Sequence, residues 1–141
     1  MSLCRGALGL AFMTLVSGCG DDPRGLAPVS GTVRYNGKPL PNAYIAFFPD
    51  EKGVRAASGS TDQNGHYRLM TFVAHDGARV GTHKVVVRAE EMPEGPPKAA
   101  DDITAKRGKL LTPARYSDPD KSGLTADVGK KDNVIDFELH D

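Results

Sequence analysis

Apolar residues in this chain come in short runs that alternate at period two, and each run is closed by glycine, proline or an Asn-Gly pair. That pattern constrains the fold more than any other feature. Alternation suits a pleated strand with one buried face, and runs interrupted so soon leave no room for a long element. The clearest run is Gly81 to Ala89, where His83, Val85 and Val87 share one face and Lys84, Val86 and Arg88 the other. Val29, Gly31, Val33 and Tyr35 share a face ahead of Asn36-Gly37, a pair that tolerates positive φ at both turn positions. Pro39 and Pro41 lack ladder donors and keep Lys38 to Pro41 out of any central strand. Ala43 to Pro49 is apolar on both faces, as a central strand is, with Ala43, Ile45 and Phe47 expected in the core. Val54 to Thr61 is a weaker third strand, followed by a hairpin loop at Asp62-Gln-Asn-Gly65. In His66 to Thr71, Tyr67 and Leu69 point inward. Leu124 to Val128 and Val134 to Leu139 complete the set, joined by a turn at Gly129 to Asp132, with Ile135, Phe137 and Leu139 inward.

Seven short strands and no amphipathic helix predict an all-β fold, a seven-stranded antiparallel β-sandwich. The composition agrees: 16 Gly and 10 Pro among 141 residues suit many short elements joined by turns, and the length allows one domain. The exception is the long loop from Glu90 to Ser122 (90–122), between strands five and six. Loops of that length are either functional or unstructured. Its first half, Glu90 to Asp102, has almost nothing to bury and is expected to be mobile. Its second half holds Leu110, Leu111, Pro113 and Tyr116, which are able to pack down. Asp101 to Leu111 is a candidate short helix that Gly108 interrupts.

The N-terminus is read as an address. One positive side chain, Arg5, precedes the apolar run Gly6 to Val16. As a helix that run spans roughly 17 Å, far short of the ~30 Å hydrocarbon core, so it suits a secretory signal peptide over residues 1–18 rather than a membrane span. Leu15-Val-Ser-Gly-Cys19 then resembles the lipobox of bacterial lipoproteins. The resemblance implies cleavage before Cys19, diacylglycerol on its sulfur and acylation (palmitate or a similar chain) of its new amine, which is enough for stable anchoring. The other reading is an ordinary signal peptide cut near Gly18. It leaves an unpaired thiol in an oxidising compartment, because Cys4 departs with the signal and Cys19 is the other of only two cysteines. Residues 19–27 form a lipidated tether reaching only ~15 Å, which holds the domain (28–141) close to the bilayer. The chain carries 18 basic and 18 acidic side chains, and only Arg5 is lost on cleavage. Near balance removes nucleic acid as a partner and excludes a polybasic membrane patch, leaving the lipid to do the anchoring. Gly20 rather than Asp follows Cys19, and resemblance to lipoprotein sorting favours export to the outer membrane. The expected location is the cell envelope, on its periplasmic or cell-surface side.

The stretch Val29-Ser-Gly-Thr-Val-Arg-Tyr-Asn-Gly-Lys-Pro-Leu-Pro-Asn-Ala43 is followed by Ile45-Ala-Phe-Phe-Pro49, Thr61-Asp-Gln-Asn-Gly-His-Tyr-Arg-Leu69 and Gly81-Thr-His-Lys-Val-Val-Val87. Together they resemble the carboxypeptidase regulatory-like domain. The run Pro113 to Val128 is similar to the version found in short bacterial lipoproteins. The resemblance covers residues 29 to 139 and implies a transthyretin-like (prealbumin-like) seven-stranded sandwich. It carries over no catalytic residue, since its pattern consists of turn glycines, prolines and core apolar positions. Some transthyretin-like proteins hydrolyse a purine-derived ring with a C-terminal Tyr-Arg-Gly-Ser signature. This chain ends Phe-Glu-Leu-His-Asp and lacks it.

Candidate sites are few. Asp118-Pro-Asp-Lys-Ser-Gly123 matches the opening of a calcium loop, with oxygens from Asp118, Asp120 and Ser122 before a turn glycine. Gly129 stands where the closing bidentate glutamate belongs and Pro119 restricts the loop, so a polar turn competes with the cation reading. Asp62 and Asn64 before Gly65 are a weaker partial match. His66, His75, His83 and His140 show no zinc-ligand spacing, and His83 is expected as a partly buried ring. Ser58, Ser60 and Thr61 lack a nucleophile elbow, and Lys106, Arg107 and Lys109 suit a solvated face. The expectation is a non-enzymatic, lipid-anchored binding or structural module, with no cofactor and no small-molecule substrate. Its partners would be the membrane and an envelope protein or polysaccharide. The alternatives are a carbohydrate or cell-wall polymer module, for which Tyr44, Phe48 and Phe72 are the outward aromatics, a calcium-binding domain, and a metal-dependent hydrolase.

Overall fold

The computed structural model describes residues 22–91 and 108–141. Cys19, the signal peptide, the start of the tether and residues 92–107 lie outside the described residues. The strands are β1 (Leu26–Ala27), β2 (Val29–Tyr35), β3 (Lys38–Pro39), β4 (Tyr44–Pro49), β5 (Ala57–Ser60), β6 (His66–Arg68), β7 (Ala78–Arg79), β8 (Gly81–Arg88), β9 (Leu124–Val128), β10 (Asn133–Val134) and β11 (Phe137–Leu139). Among the described residues, one 3-10 turn at Ala114–Ser117 interrupts an otherwise all-β arrangement. A four-stranded sheet runs β5-β4-β8-β9. A second sheet has β2 at its centre, with β10 and β11 along one edge and β3 and β6 on the other side, and β1 pairs β7 separately.

The two larger sheets meet through the residues that alternation points inward. Phe47 of β4 lies 5.9 Å from Phe137 of β11 in an edge-on arrangement, 6.4 Å from Tyr67 of β6 and 5.7 Å from His83 of β8. Val29, Val33, Ala43, Ile45, Leu69, Val85, Val87 and Leu139 are buried around them, and Tyr35 and Ile135 pack against the cluster at partial exposure. β4 is buried on both faces at Ala46 and Phe47, which is why its sequence is apolar throughout.

Three expectations change. The last run, expected as one antiparallel strand, is two segments running parallel to β2: Val134 pairs Ser30, and Phe137 to Leu139 pair Val33 to Tyr35. The break falls at Ile135-Asp136, where backbone and side chain divide the work. The Ile135 N–H donates to Ser30 O at 2.8 Å, and the Thr32 N–H donates to the Asp136 carboxylate at 2.8 Å. The Tyr67 hydroxyl donates to Ile135 O at 2.5 Å. That carbonyl sits so close to β2 that a Cβ on Gly31 would lie 1.9 Å from it.

Secondly, the end of the expected tether belongs to the body. Leu26 and Ala27 are buried in β1 against β7, and Gly77, at φ +83, lets the Ala27 carbonyl approach where a Cβ would lie 1.8 Å away. Thirdly, the long loop is built at both its roots. The Glu91 N–H donates to Lys109 O and the Leu111 N–H to Ala89 O, each at 2.9 Å, so the backbone of β8 continues into a paired extension. Residues 108–111 are therefore extended rather than helical. Tyr116 joins the core, where its hydroxyl accepts the His140 N–H at 3.0 Å, whereas Leu111 remains exposed. The molecule consequently has two distinct ends. β1, β7 and the starts of β2 and β8 lie at one. The paired extension, the Asn36-Gly37 turn and the hairpin loop at 62–65 lie at the other.

Candidate functional site

Alternation that sends one set of residues into the core sends the other set outward, and two outer faces carry chemistry. Over the β2 sheet, Ser30 and Thr32 of β2, His66 and Arg68 of β6, and Val134 and Asp136 from the last segments line a cleft of about 530 Å³, which Ser60, Asp62 and His75 extend. His66 Nδ1 lies 3.0 Å from the Thr32 hydroxyl oxygen. Asp136 is spent on the Thr32 N–H and Asp62 on the N–H groups of Asn64 and His66, bonds that hold the Asp62 carboxyl below its usual value. Among the described residues no carboxylate is hydrogen-bonded to the His66 ring, and the cleft supplies donors and acceptors for a polar ligand.

The second face is at the N-terminal end. Arg24, Leu26, Gly53, Val54, Arg55, Thr71, Phe72 and Arg79 line a hollow of about 480 Å³. The guanidinium carbons of Arg24 and Arg55 each lie 5.5 Å from the Phe72 ring centre. Below them, Asp76 accepts the N–H groups of Thr71, Phe72 and Val73 at 2.7, 3.0 and 3.1 Å. Partial burial opposes its charge, but those three donors outweigh it and keep the carboxyl below its usual value.

Each of the calcium candidates already has a partner within the fold. The Ser122 hydroxyl is buried and donates to Val85 O at 2.6 Å, and Asp120 pairs with Lys84 at 2.6 Å. Asp118 accepts the Asp120 N–H, which lowers its carboxyl. These residues pin the turn onto β8, and no group of three or more His, Cys, Asp or Glu arranged for a metal occurs among the described residues. Thr61 is a structural clasp: its buried hydroxyl donates to Leu40 O at 2.6 Å and accepts the Ala43 N–H at 2.8 Å. His83 is buried with Nδ1 3.0 Å from Gly81 O and Nε2 unpartnered, and desolvation pushes its pKa down. Of the outward aromatics, Tyr44 and Phe48 stand exposed on the outer face of β4, and Phe72 is exposed but flanked by arginines. The arginine cluster leaves no signal in the sequence, since Arg24, Arg55 and Arg79 share no run or period.

No protein-family model and no curated protein matches the sequence. Two solved structures show weak likeness. A DUF3823 family protein from Parabacteroides merdae ATCC 43184 is 12% identical, with a TM-score of 0.38 over 80% of this chain and 45% of that one. A 9R-lipoxygenase from Cyanothece PCC8801 is 15% identical, with a TM-score of 0.41 over 80% of this chain and 16% of that one. The chain thus spans less than half the length of either, and at these scores neither likeness assigns an activity.

Proposed function

We propose that this chain is a lipid-anchored envelope protein whose β module, of the carboxypeptidase regulatory-like, transthyretin-like type, binds or holds an envelope partner and performs no chemistry. The observation that carries this reading is Leu15-Val-Ser-Gly-Cys19 at the end of a short apolar run, directly ahead of an all-β body. Two or three acyl chains on Cys19 supply an anchor that a chain of balanced charge does not otherwise possess. The polar groups of the β2 cleft, with His66 beside Thr32 and no carboxylate bonded to the His66 ring among the described residues, support a binding role. Metabolic labelling with a fatty-acid probe tests the anchor. The wild-type chain is expected to take up label and stay with membranes, and Cys19→Ala to lose both. Membrane retention of Cys19→Ala would refute the reading.

A second reading has one observation behind it. Tyr44 and Phe48 project from the same outer face of β4, with Arg88 and Lys84 opposite them on β8. Exposed rings beside charged donors suit a polysaccharide chain lying across the sheet. A glycan array probed with the wild-type chain and Tyr44→Ala would separate the two, since sugar binding requires a signal that the variant loses.

A further inference from the structure

The anchor and the body are joined by very little chain. Asp22 is already held, its carbonyl accepting the Gly25 N–H at 2.8 Å, and Arg24 follows, its carbonyl bonded by Arg79 at 2.8 Å. Only Gly20 and Asp21 lie between Asp22 and Cys19, a reach of about 10 Å even when fully extended. Asp22, at the N-terminal end of the module, is therefore within about a nanometre of the lipid headgroups once Cys19 is acylated.

What faces outward there is a set of apolar and basic side chains, with the acidic Asp22, Asp50 and Glu51 beside them. Met70, Phe72 and Val73 are 47%, 52% and 56% exposed. They are not loose side chains on an open loop. Asp76, whose side chain is only 5% exposed, holds three consecutive N–H groups of this segment and locks Phe72 and Val73 in the outward position. Arg24 and Arg55 flank the Phe72 ring, and Arg79 lines the same hollow. Arg24 and Arg79 have carboxylate neighbours in Asp22, Asp76 and Glu51, whereas Arg55 has none among the described residues. A ring flanked by guanidinium groups matches the bilayer interface, where aromatic residues settle at headgroup level and arginines reach phosphate.

We propose that the N-terminal end of the module seats on the bilayer that carries its anchor. Phe72 and Val73 enter the glycerol layer, and Arg24, Arg55 and Arg79 meet lipid phosphates. This rests on the lipid-anchor reading above. It fixes which way the domain stands: the β2 cleft faces sideways, and the paired extension at 89–91 and 109–111 points away from the membrane.

The chain has no Trp, so a single introduced one reports its own surroundings. Full-length lipoprotein carrying Phe72→Trp is reconstituted into phospholipid vesicles with and without brominated acyl chains. Lys38→Trp, on the exposed strand β3 at the opposite end, serves as the control. Both variants are checked for the wild-type circular dichroism spectrum and melting temperature. Phe72→Trp is expected to emit further to the blue and to lose emission to bromolipid, Lys38→Trp to do neither, and Arg55→Glu in the Phe72→Trp background to reduce the quenching. Flotation with the vesicles but equal quenching of the two reporters overturns the seating alone. Failure to float overturns the anchor, and the seating with it.

Discussion

His83 shows how one side chain can set a pH dependence. Its ring is buried against Phe47 and its pKa is pushed down by desolvation, so the folded state holds it neutral while the unfolded state protonates near the ordinary value of about 6.5. The unfolded chain then binds more protons, and stability falls as pH drops below that value. The melting temperature is expected to decline between pH 7.5 and 5.5, and His83→Phe to flatten that decline. An unchanged slope in the variant would point to another group. Two other residues give sharper tests of packing. Gly31→Ala places a Cβ against the Ile135 carbonyl and is expected to abolish or severely impair folding, seen as loss of a cooperative melt. Phe47→Ala removes the ring shared by both sheets and is expected to cost about 3–5 kcal/mol by denaturant titration.

Elements differ in how far they were legible. The inward sets of β2, β6 and β8 followed from period two, because each sends alternate residues into the core, whereas β4 is buried on both faces and was legible from its continuous apolar run. β1 was invisible: Leu26-Ala27 is too short to show a period, and it forms a strand only because β7 offers an edge and Gly77 a gap. The split of the last run into β10 and β11 also left no local signal, since Asp136 replaces a backbone acceptor with its side chain. The Thr61 hydroxyl was weighed as a nucleophile and is instead a clasp between the start of β4 and the end of β5. Thr61→Val keeps the shape and removes both bonds, leaving the Ala43 N–H unpaired, and is expected to cost about 1–3 kcal/mol in a thermal or denaturant melt.

On the scale of the molecule, the described chain comes in at one end, and at the other Glu91 and Lys109, which flank residues 92–107 in sequence, are bonded to each other. Replacing 92–107 with an Asn-Gly turn is expected to leave the melting temperature within about 4 °C of wild type, a shift that roughly 1 kcal/mol produces in a domain this size. A large loss would show that the segment supports the core. The same variant, used in envelope crosslinking beside the wild type, reports whether contacts made away from the membrane depend on it.

Periodicity and punctuation by themselves determined that the described body is all-β, where most strands lie and which side chains enter the core. These are local properties: a side chain's face depends on its immediate neighbours along the backbone. Partner choice, strand direction and surface chemistry were decided only in three dimensions. The parallel pairing of β10 and β11 with β2 joins residues far apart in the chain. The arginines around Phe72 come from β7 and two separate loops, and a near-zero net charge sums them away. Hydrogen bonding and local charge depend on what folding brings within a few ångströms, and no spacing along the sequence records that distance.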